Sequence, residues 1–302
     1  MGKSKKTRFE ICPNCSQALD SSWEYCPVCG QSVYQVQGSF RYLISEISGN
    51  LYSFDSKLFR TIRWLFTKPG LVASEYVSGK MASYVPPVRL YIFVSLLLLF
   101  STSLSTCTKE NKGHENVEIN VNPAYQGQVF TKELSNKILS YNDNQLDSFI
   151  RKTKIEPGYF NKQMVIRMAK ISMYGLSPFI DKIKANATLG MFLLMPLSAL
   201  ILRIFYRKKR KLYFDHLIAA LYMHTAIFIL FILNELTGLL FNFDWFLWVL
   251  VIFYVYFIWS LRNFYNTKWK PAIWRSIPIV FTYFVILLLY MVGVTFTSFL
   301  TF

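Results

Sequence analysis

Four cysteines near the start of the chain have the spacing of a metal site. Cys12 and Cys15 form one Cys-X-X-Cys pair, Cys26 and Cys29 form a second, and ten residues separate the two pairs. Each pair can fold into a tight knuckle, and two knuckles complete a tetrahedral four-thiolate site with Zn–S distances of about 2.3 Å. Gly30 follows the last cysteine, where such a knuckle often requires a positive φ. The spacing predicts zinc, with iron in a rubredoxin-like centre as the alternative.

The predicted role of this zinc is structural. All four ligand positions are filled by the protein, whereas a catalytic zinc keeps one position open. A segment of about 20 residues cannot build a hydrophobic core, so the metal would supply most of its folding free energy. We expect residues 1–38 to form a small zinc-ribbon-like knob that contacts a protein partner or serves only as structure. Nucleic acid is a less favoured partner, because the knob carries few of the cations that phosphate binding needs.

Three ionisable residues in apolar surroundings are the other candidates for chemistry: His216, His224 and Glu235. His224 and Glu235 share a helical face, but eleven residues correspond to roughly 16 Å of rise, so the two cannot bind one metal without help from other helices. They could line a polar cavity, with His224 as proton carrier or ligand. The favoured interpretation places His216 and Glu235 at the two membrane surfaces and lets His224 hydrogen-bond across the bundle. No catalytic triad, paired buried carboxylates or phosphate-binding loop is visible, which argues against an enzyme.

The elements around these residues are those of a membrane protein. The chain of 302 residues is 53% hydrophobic and 18% aromatic, and its formal net charge is +16. Several apolar runs reach the roughly 18–20 residues that cross a bilayer. We therefore predict a mainly α, polytopic membrane protein with about five transmembrane helices. The predicted spans are residues 88–107, 187–206, 216–236, 245–261 and 277–300, and the last four form one transmembrane region, 187–302.

The short loops give a predicted orientation. The loop "RIFYRKKRKLY" carries six Lys or Arg residues and "RNFYNTKWKPAIWR" carries four, whereas "NELTGLLFNFD" carries none. Basic loops stay on the cytoplasmic side. Counting back places the knob in the cytoplasm, where a reducing environment suits free thiolates, and five spans place the C-terminus outside. The predicted location is a membrane, with the lipid bilayer as a partner.

Residues 39–87 approach the first span as two helices. "DSKLFRTIRWLFTKPG" reads as a basic amphipathic helix that is capped by Asp55 and ends before Pro69. "PGLVASEYVSGK" reads as a second helix with Pro69 in its first turn and Gly79 as its stop. Such helices can lie in the membrane interface or pack on the protein itself, and the sequence supports both interpretations equally.

Residues 108–186 form the predicted extracytoplasmic segment. Residues 108–128 are polar and read as irregular, whereas "TKELSNKILSYND" and "NQLDSFIRKT" each read as a helix. Farther on, Phe160, Met164, Met168 and Ile171 recur at helical spacing and predict a packing face.

These segments resemble a known family. The stretch "LFRTIRWLFTKPGLVASEYVSGKMASYVPPVRLYIFVSLLLLF", together with "CPNC…CPVCGQ" before it and "YFDHLIAALYMHTAIFIL" after it, is similar to DUF3667, a family of uncharacterised bacterial membrane proteins. The resemblance is strongest at residues 10–100 and 213–230. The resemblance implies the membrane architecture and a bacterial origin, and therefore a location in the bacterial inner membrane. It implies no biochemical activity.

Three functions follow as hypotheses. The favoured one is an interaction, regulatory or scaffolding membrane protein that recruits a partner through the cytoplasmic knob. The alternative is a transporter or channel component that uses a polar face around His224 and Glu235, with Pro196 as a mid-span kink. Such a small bundle could form a pore only as an oligomer or with a partner. A lipid-modifying intramembrane enzyme has the fewest supporting residues.

Overall fold

The structure is a computed structural model, and it describes residues 7–35, 55–111, 124–125, 128–153 and 156–302. The chain is mainly helical, which confirms the predicted fold class. It divides into two compact units. Unit 1 comprises Met1–Lys112 and Met195–Tyr283, and unit 2 comprises Gly113–Leu194 and Phe284–Phe302.

The described residues contain ten α-helices and four two-residue strands. The helices are α1 (Asp55–Thr67), α2 (Leu71–Val77), α3 (Pro87–Asn111), α4 (Lys132–Leu139), α5 (Asp143–Lys152), α6 (Tyr159–Tyr174), α7 (Ser177–Phe205), α8 (Tyr213–Phe241), α9 (Phe246–Phe264) and α10 (Trp269–Thr301). A 3₁₀ turn, Arg207–Lys209, follows α7. Strands β1 (Thr7–Arg8) and β2 (Tyr34–Gln35) pair antiparallel, as do β3 (Ala124–Tyr125) and β4 (Gln128–Val129).

Four helices are long and apolar enough to cross a membrane: Pro87–Leu104 of α3, and α8, α9 and α10. They coincide with the first, third, fourth and fifth predicted spans. The second predicted span, 187–206, lies inside α7, of which Leu194–Phe205 is a shorter apolar stretch. Helix α7 continues through Pro196 without a break. The chain is thus a membrane protein by the length and composition of these helices, and the count of five remains a prediction.

Helix α8 is the centre of unit 1. Its buried side chains lie on every face, as expected for a helix that is apolar all round. Helix α3 packs along it, with the rings of Tyr91 and Phe228 5.5 Å apart. Alanines such as Ala219 and Ala226 are fully buried, and small side chains of this kind let neighbouring helices approach closely.

Helices α1 and α2 pack on the protein, which favours the second of the two interpretations above. Val72, Ala73 and Tyr76 of α2 are buried, and the ring of Tyr76 lies 6.1 Å from that of Tyr222 on α8. On α1, Leu65 is buried while Phe59 is exposed. Pro69 was predicted inside the first turn of α2. Instead it precedes the helix, because Gly70 is the N-cap with φ 79°, a left-handed conformation that glycine adopts freely.

Gly70 also marks the closest approach of this turn to α9. A Cβ atom at Gly70 would overlap the carbonyl oxygen of Ser260 and lie 3.1 Å from the backbone nitrogen of Phe264. Beside it, the Asn263 side chain donates a hydrogen bond to the Pro69 carbonyl at 2.7 Å. The α1–α2 turn is therefore fixed against the C-terminal end of α9.

Unit 2 has its own small core. Helices α4 and α5 form as predicted, and their N-caps are the side chains of Thr131 and Asn142. Helix α6 covers them. The core residues are Phe130, Ile138, Leu146, Ile150, Val165 and Ala169.

The packing face of α6 agrees with the predicted one only in part. Ile171 is buried and Met168 lies at the edge of the core, as predicted, but Phe160 is 52% exposed. Val165 and Ala169, which were not predicted, are buried. The smaller side chains face inward because they let α6 sit close to α4, and Ser172 on the same side donates to the Phe130 carbonyl at 2.8 Å. The strand pair β3–β4 also interrupts the predicted irregular stretch. Residues 39–54 of the approach segment, and residues 112–123 and 126–127 of the polar stretch, lie outside the described residues.

Candidate metal centre

The knob, described from residue 7 to residue 35, is built from two equivalent knuckles. In the first, the Ser16 N–H donates to the Cys12 carbonyl at 2.9 Å, and in the second the Gly30 N–H donates to the Cys26 carbonyl at 2.9 Å. A single bridge closes each knuckle, Ile11 with Ala18 and Tyr25 with Ser32. Residues fourteen positions apart therefore occupy the same place in the two halves.

The predicted left-handed residue is present in both halves. Gly30 has φ 71°, as its position after the last cysteine predicted, and Ser16 has φ 64° at the matching place. A non-glycine residue in this region is uncommon. The need to turn both knuckles in the same way accounts for its presence.

The four cysteine sulfurs form one cluster. Their Sγ atoms all lie within 4.8 Å of one another. The pairs Cys12–Cys29 and Cys15–Cys26 are 3.6 and 3.5 Å apart. A tetrahedron with Zn–S distances of about 2.3 Å has edges of about 3.8 Å. The cluster can therefore hold a single metal ion of this size, with all four ligand positions supplied by the chain.

The surroundings of the sulfurs act differently on the two cysteine pairs. Burial raises the pKa of the Cys12 thiol, and backbone N–H donation from Cys15 opposes it. At Cys26 burial acts in the same direction, but N–H donation from Cys29 and Val28 outweighs it and lowers the pKa to about 7. Thiols this close titrate as a group. A metal ion would replace their protons, because thiolates are its ligands.

The knob is docked on the turn between α2 and α3. The side-chain oxygen of Gln31 accepts a hydrogen bond from the Ala82 N–H at 2.7 Å. The Ser83 hydroxyl donates to the Asn14 side chain at 2.6 Å. A Cβ atom at Gly79 would lie 3.1 Å from the Phe9 ring and 3.2 Å from the Pro13 ring. Residues 79–84, which we call the platform, thus receive the knob.

The platform is itself held to the bundle. Tyr84 is buried and donates its hydroxyl hydrogen to Glu75 of α2, which also pairs with Lys80 at 3.0 Å. Burial acts to raise the pKa of Glu75, but the hydrogen bonds from Tyr84 and Lys80 outweigh it and lower the pKa. The carboxylate is therefore the favoured form, as both contacts require.

Val85, which follows the platform, is tied to two helices. Its N–H donates to the Thr61 hydroxyl of α1 at 3.0 Å, and its carbonyl accepts from the Tyr222 hydroxyl of α8 at 2.7 Å. A continuous series of contacts therefore runs from the cysteine cluster through the platform to α8.

The knob binds the platform through Asn14 and Gln31, and the residues at the equivalent positions of the two knuckles are exposed. Asn14 binds the platform, whereas its counterpart Val28 is 66% exposed. Gln31 binds the platform, whereas its counterpart Gln17 is exposed. Tyr25 and Ile11, the residues before the first cysteine of each knuckle, are 63% and 62% exposed. The knob is therefore fixed on one side and presents large apolar side chains elsewhere.

The three other candidate residues occupy separate surroundings. His216, at the start of α8, is buried and shares a 2.6 Å hydrogen bond with the Tyr265 hydroxyl. His224 engages both ring nitrogens, Nδ1 with the Ala220 carbonyl at 2.8 Å and Nε2 with the Tyr283 hydroxyl at 3.0 Å. Glu235 is half-buried. Among the described residues, no hydrogen bond or ion pair joins any two of these three.

Sequence reasoning did not find the platform. Its contacts with the knob join residues 51 and 69 positions apart, and no local pattern encodes such a separation. The available signal was the run of small and turn-forming residues at 78–83, "SGKMAS", between two helices.

Comparison with known proteins identifies a family match over the segment that contains the platform. Residues 55–99 match the model of a family described as "Protein of unknown function (DUF3667)". Neither a curated protein nor a solved structure matches the chain. The matched residues comprise α1, α2, the platform and the first half of α3, so they include the surface that receives the knob. Over residues 55–99 the chain matches the DUF3667 family, which confirms the resemblance seen in its sequence.

Proposed function

We propose that this protein is an interaction or scaffolding protein of the bacterial inner membrane, and that its zinc-held knob recruits a protein partner in the cytoplasm. The observation that carries the proposal is the asymmetric use of the two knuckles. One residue of each equivalent pair fixes the knob to the platform, and Ile11, Tyr25 and Val28 are left exposed. Large apolar side chains on a small, rigidly held surface are typical of protein contacts.

Zinc is the metal that the proposal assigns. Four thiolates in a closed tetrahedral arrangement are the ligand set of structural zinc sites. Bound zinc would stabilise the fold of the knob, because so short a segment lacks an apolar core. Iron uses the same four thiolates and is the alternative that metal analysis separates.

The proposed orientation rests on the distribution of charge. The segments 203–211 and 262–275 carry ten Lys and Arg residues, and the loop between α8 and α9 carries none. The basic loops would face the cytoplasm. A cytoplasmic knob agrees with this, because four free thiolates persist in a reducing compartment.

The transporter alternative receives less support from the geometry. Both ring nitrogens of His224 are engaged within the bundle. Among the described residues, no hydrogen bond or ion pair joins Glu235 to either histidine, so a shared polar face has no direct support.

The proposal is tested by photo-crosslinking in cells. A photoreactive amino acid at Val28 is compared with one at Gln17, an exposed polar residue of the other knuckle. We expect one defined crosslinked protein from position 28, and we expect this product to disappear in the Cys26→Ser/Cys29→Ser variant and in Tyr25→Ser. The Ser21→Ala variant, changed at an exposed polar residue of the same knob, should keep it. Equal, unselective products from both positions, or a product that persists without the cysteines, would overturn the proposal.

A further inference from the structure

The end of unit 1 near the basic loops carries an unbalanced positive charge. Segments 203–211 and 262–275 contain ten Lys and Arg residues and no Asp or Glu. The ion pairs found among the described residues, Lys80–Glu75 and Lys162–Asp147, involve none of them. None of these ten cations therefore forms an ion pair with a carboxylate of the described residues, and Asp215, at the start of α8, acts on Lys211 from a longer distance.

Three of these cations gather around one aromatic group. Tyr206 and Tyr265 stack face to face, with ring centroids 3.7 Å apart and planes within 4°. The Arg275 guanidinium lies 5.1 Å from the centre of the Tyr206 ring. Phe264 meets Tyr265 edge-on at 4.8 Å and carries Lys211 over its own ring at 4.4 Å.

The third cation, Lys209 of the 3₁₀ turn, contacts Asn266, which directly follows Phe264 and Tyr265. The Lys209 ammonium donates to the Asn266 carbonyl at 3.2 Å. Arg210 and Asn266 both have positive φ, 51° and 46°, so each loop turns sharply beside the group. The result is a cluster of Lys209, Lys211 and Arg275 around residues 264–266, which we call the cation cluster.

Aromatic faces and carbonyl groups orient these cations without neutralising them. Burial lowers the pKa of Lys211, Asp215 acts in the opposite direction, and Lys209 adds a smaller lowering effect. Lys209 and Lys211 are thus close enough to repel each other. An anion with several oxygens bound beside Lys209 and Lys211 would relieve this repulsion, and charged donors form strong hydrogen bonds with such oxygens.

The position of the cluster indicates the kind of anion. It lies where α9 ends and α10 begins, and both helices have the length and composition of membrane spans. Trp269 and Trp274 at the start of α10 are 47% and 73% exposed, and exposed tryptophans at a span end mark the headgroup level of the bilayer. Ile273 and Ile277, one turn apart on α10, are also exposed and would lie beside acyl chains.

We propose that the cation cluster binds the phosphate headgroup of an anionic phospholipid. Arg275 provides a planar fork for two phosphate oxygens, and Lys209 and Lys211 provide ammonium donors. The aromatic stack holds the cluster in place before the lipid arrives. Zwitterionic lipids bind less well because their headgroup carries a compensating cation.

The test uses the full chain purified in a neutral detergent. Native mass spectrometry counts bound lipid while the protein is titrated with phosphatidylglycerol or, separately, with phosphatidylcholine. Wild type should saturate with phosphatidylglycerol and bind phosphatidylcholine more weakly. The Lys209→Gln/Lys211→Gln/Arg275→Gln variant should bind phosphatidylglycerol at least about tenfold more weakly, since each cation near the headgroup contributes to binding.

A matched control separates a defined site from a general attraction. Arg207→Gln/Lys208→Gln/Lys270→Gln removes the same charge from exposed side chains of the same loops and should keep most of the affinity. Equal weakening in the two triple variants would overturn the proposal, and so would equal binding of the two lipids by wild type. Displacement of phosphatidylglycerol by inorganic phosphate at equal concentration would also overturn it, since the ligand would then be a soluble phosphate.

A second variant keeps the test valid if the triple substitution disturbs folding. Lys209→Gln changes an exposed side chain whose hydrogen bond, within the described part of the chain, goes to the Asn266 carbonyl. It should weaken phosphatidylglycerol binding severalfold at an unchanged melting temperature. An unchanged affinity for this variant would contradict the assignment of Lys209.

Discussion

Replacement of Gly70 by alanine tests how the platform segment is anchored to the bundle. Gly70 has φ 79°, and alanine in this conformation costs of order 1 kcal/mol. The added Cβ would also overlap the Ser260 carbonyl oxygen, which belongs to the backbone of α9 and cannot rotate away. The turn must therefore retreat from α9, and the Asn263–Pro69 hydrogen bond, worth about 1 kcal/mol, would be weakened. We expect a total destabilisation of about 2–4 kcal/mol.

The assay is thermal unfolding of the purified protein in detergent, followed by circular dichroism. A loss of this size lowers the melting temperature by about 3–6 °C for a chain of this length, because the unfolding entropy grows with chain length. The matched control is Gly238→Ala, because Gly238 lies in α8 with no atom within 4 Å of an added Cβ. It should leave the melting temperature unchanged or raise it slightly, since alanine favours a helix over glycine. Similar melting temperatures for Gly70→Ala and wild type would refute the close-approach argument.

Three further predictions follow from the contacts of unit 1. Asn14→Ala/Gln31→Ala should keep the bound metal but release the knob from the platform. Hydrogen exchange at the Ala82 N–H should then increase, because this group loses its 2.7 Å hydrogen bond to Gln31. An unchanged exchange rate would contradict the docking. Cys26→Ser/Cys29→Ser should lose the metal, and its knob should become sensitive to protease. Its helical circular dichroism signal should stay close to that of wild type. A protease-resistant knob in this variant would show that the metal is not needed for its fold. Tyr283→Phe should destabilise the protein by about 1–2 kcal/mol because it leaves Nε2 of His224 without its partner; a neutral effect on unfolding would indicate that water or another group satisfies this nitrogen.

The features that the sequence predicted correctly are those that local patterns encode. The cysteine cluster followed from the spacing within 18 residues, and φ at Gly30 followed from the geometry of a knuckle. The long apolar helices followed from their composition, since a bilayer requires uninterrupted apolar length. Helices α4 and α5 lie in the two segments that were predicted to be helical, residues 131–143 and 144–153, although α5 begins one residue earlier.

The features that it missed depend on contacts between distant residues. Of the stripe Phe160, Met164, Met168 and Ile171, Ile171 is buried and Met168 reaches the core edge, but Phe160 is exposed. The smaller Val165 and Ala169 pack into the core that α6 forms with α4 and α5. Pro69 was placed inside α2 because proline suits a first turn, but Gly70, which approaches Ser260 closely, is the N-cap, so the helix begins two residues later at Leu71. The platform likewise exists only once the knob and α3 are both folded.

The structure places the two sets of candidate residues, the histidines of the bundle and the cysteines of the knob, in different surroundings. His216 and His224 have partners within the bundle that account for their polarity. The cysteine cluster, in contrast, connects through the platform to α1 and α8. We therefore propose that the knob, and not the histidines, binds the partner.

The most direct test of this account is the metal content of the purified full chain. Inductively coupled plasma mass spectrometry on wild type and on Cys26→Ser/Cys29→Ser gives the identity and the number of bound ions. The account predicts one zinc ion per chain in wild type and none in the variant. Wild-type protein without metal, or with the same metal content as the variant, would contradict it.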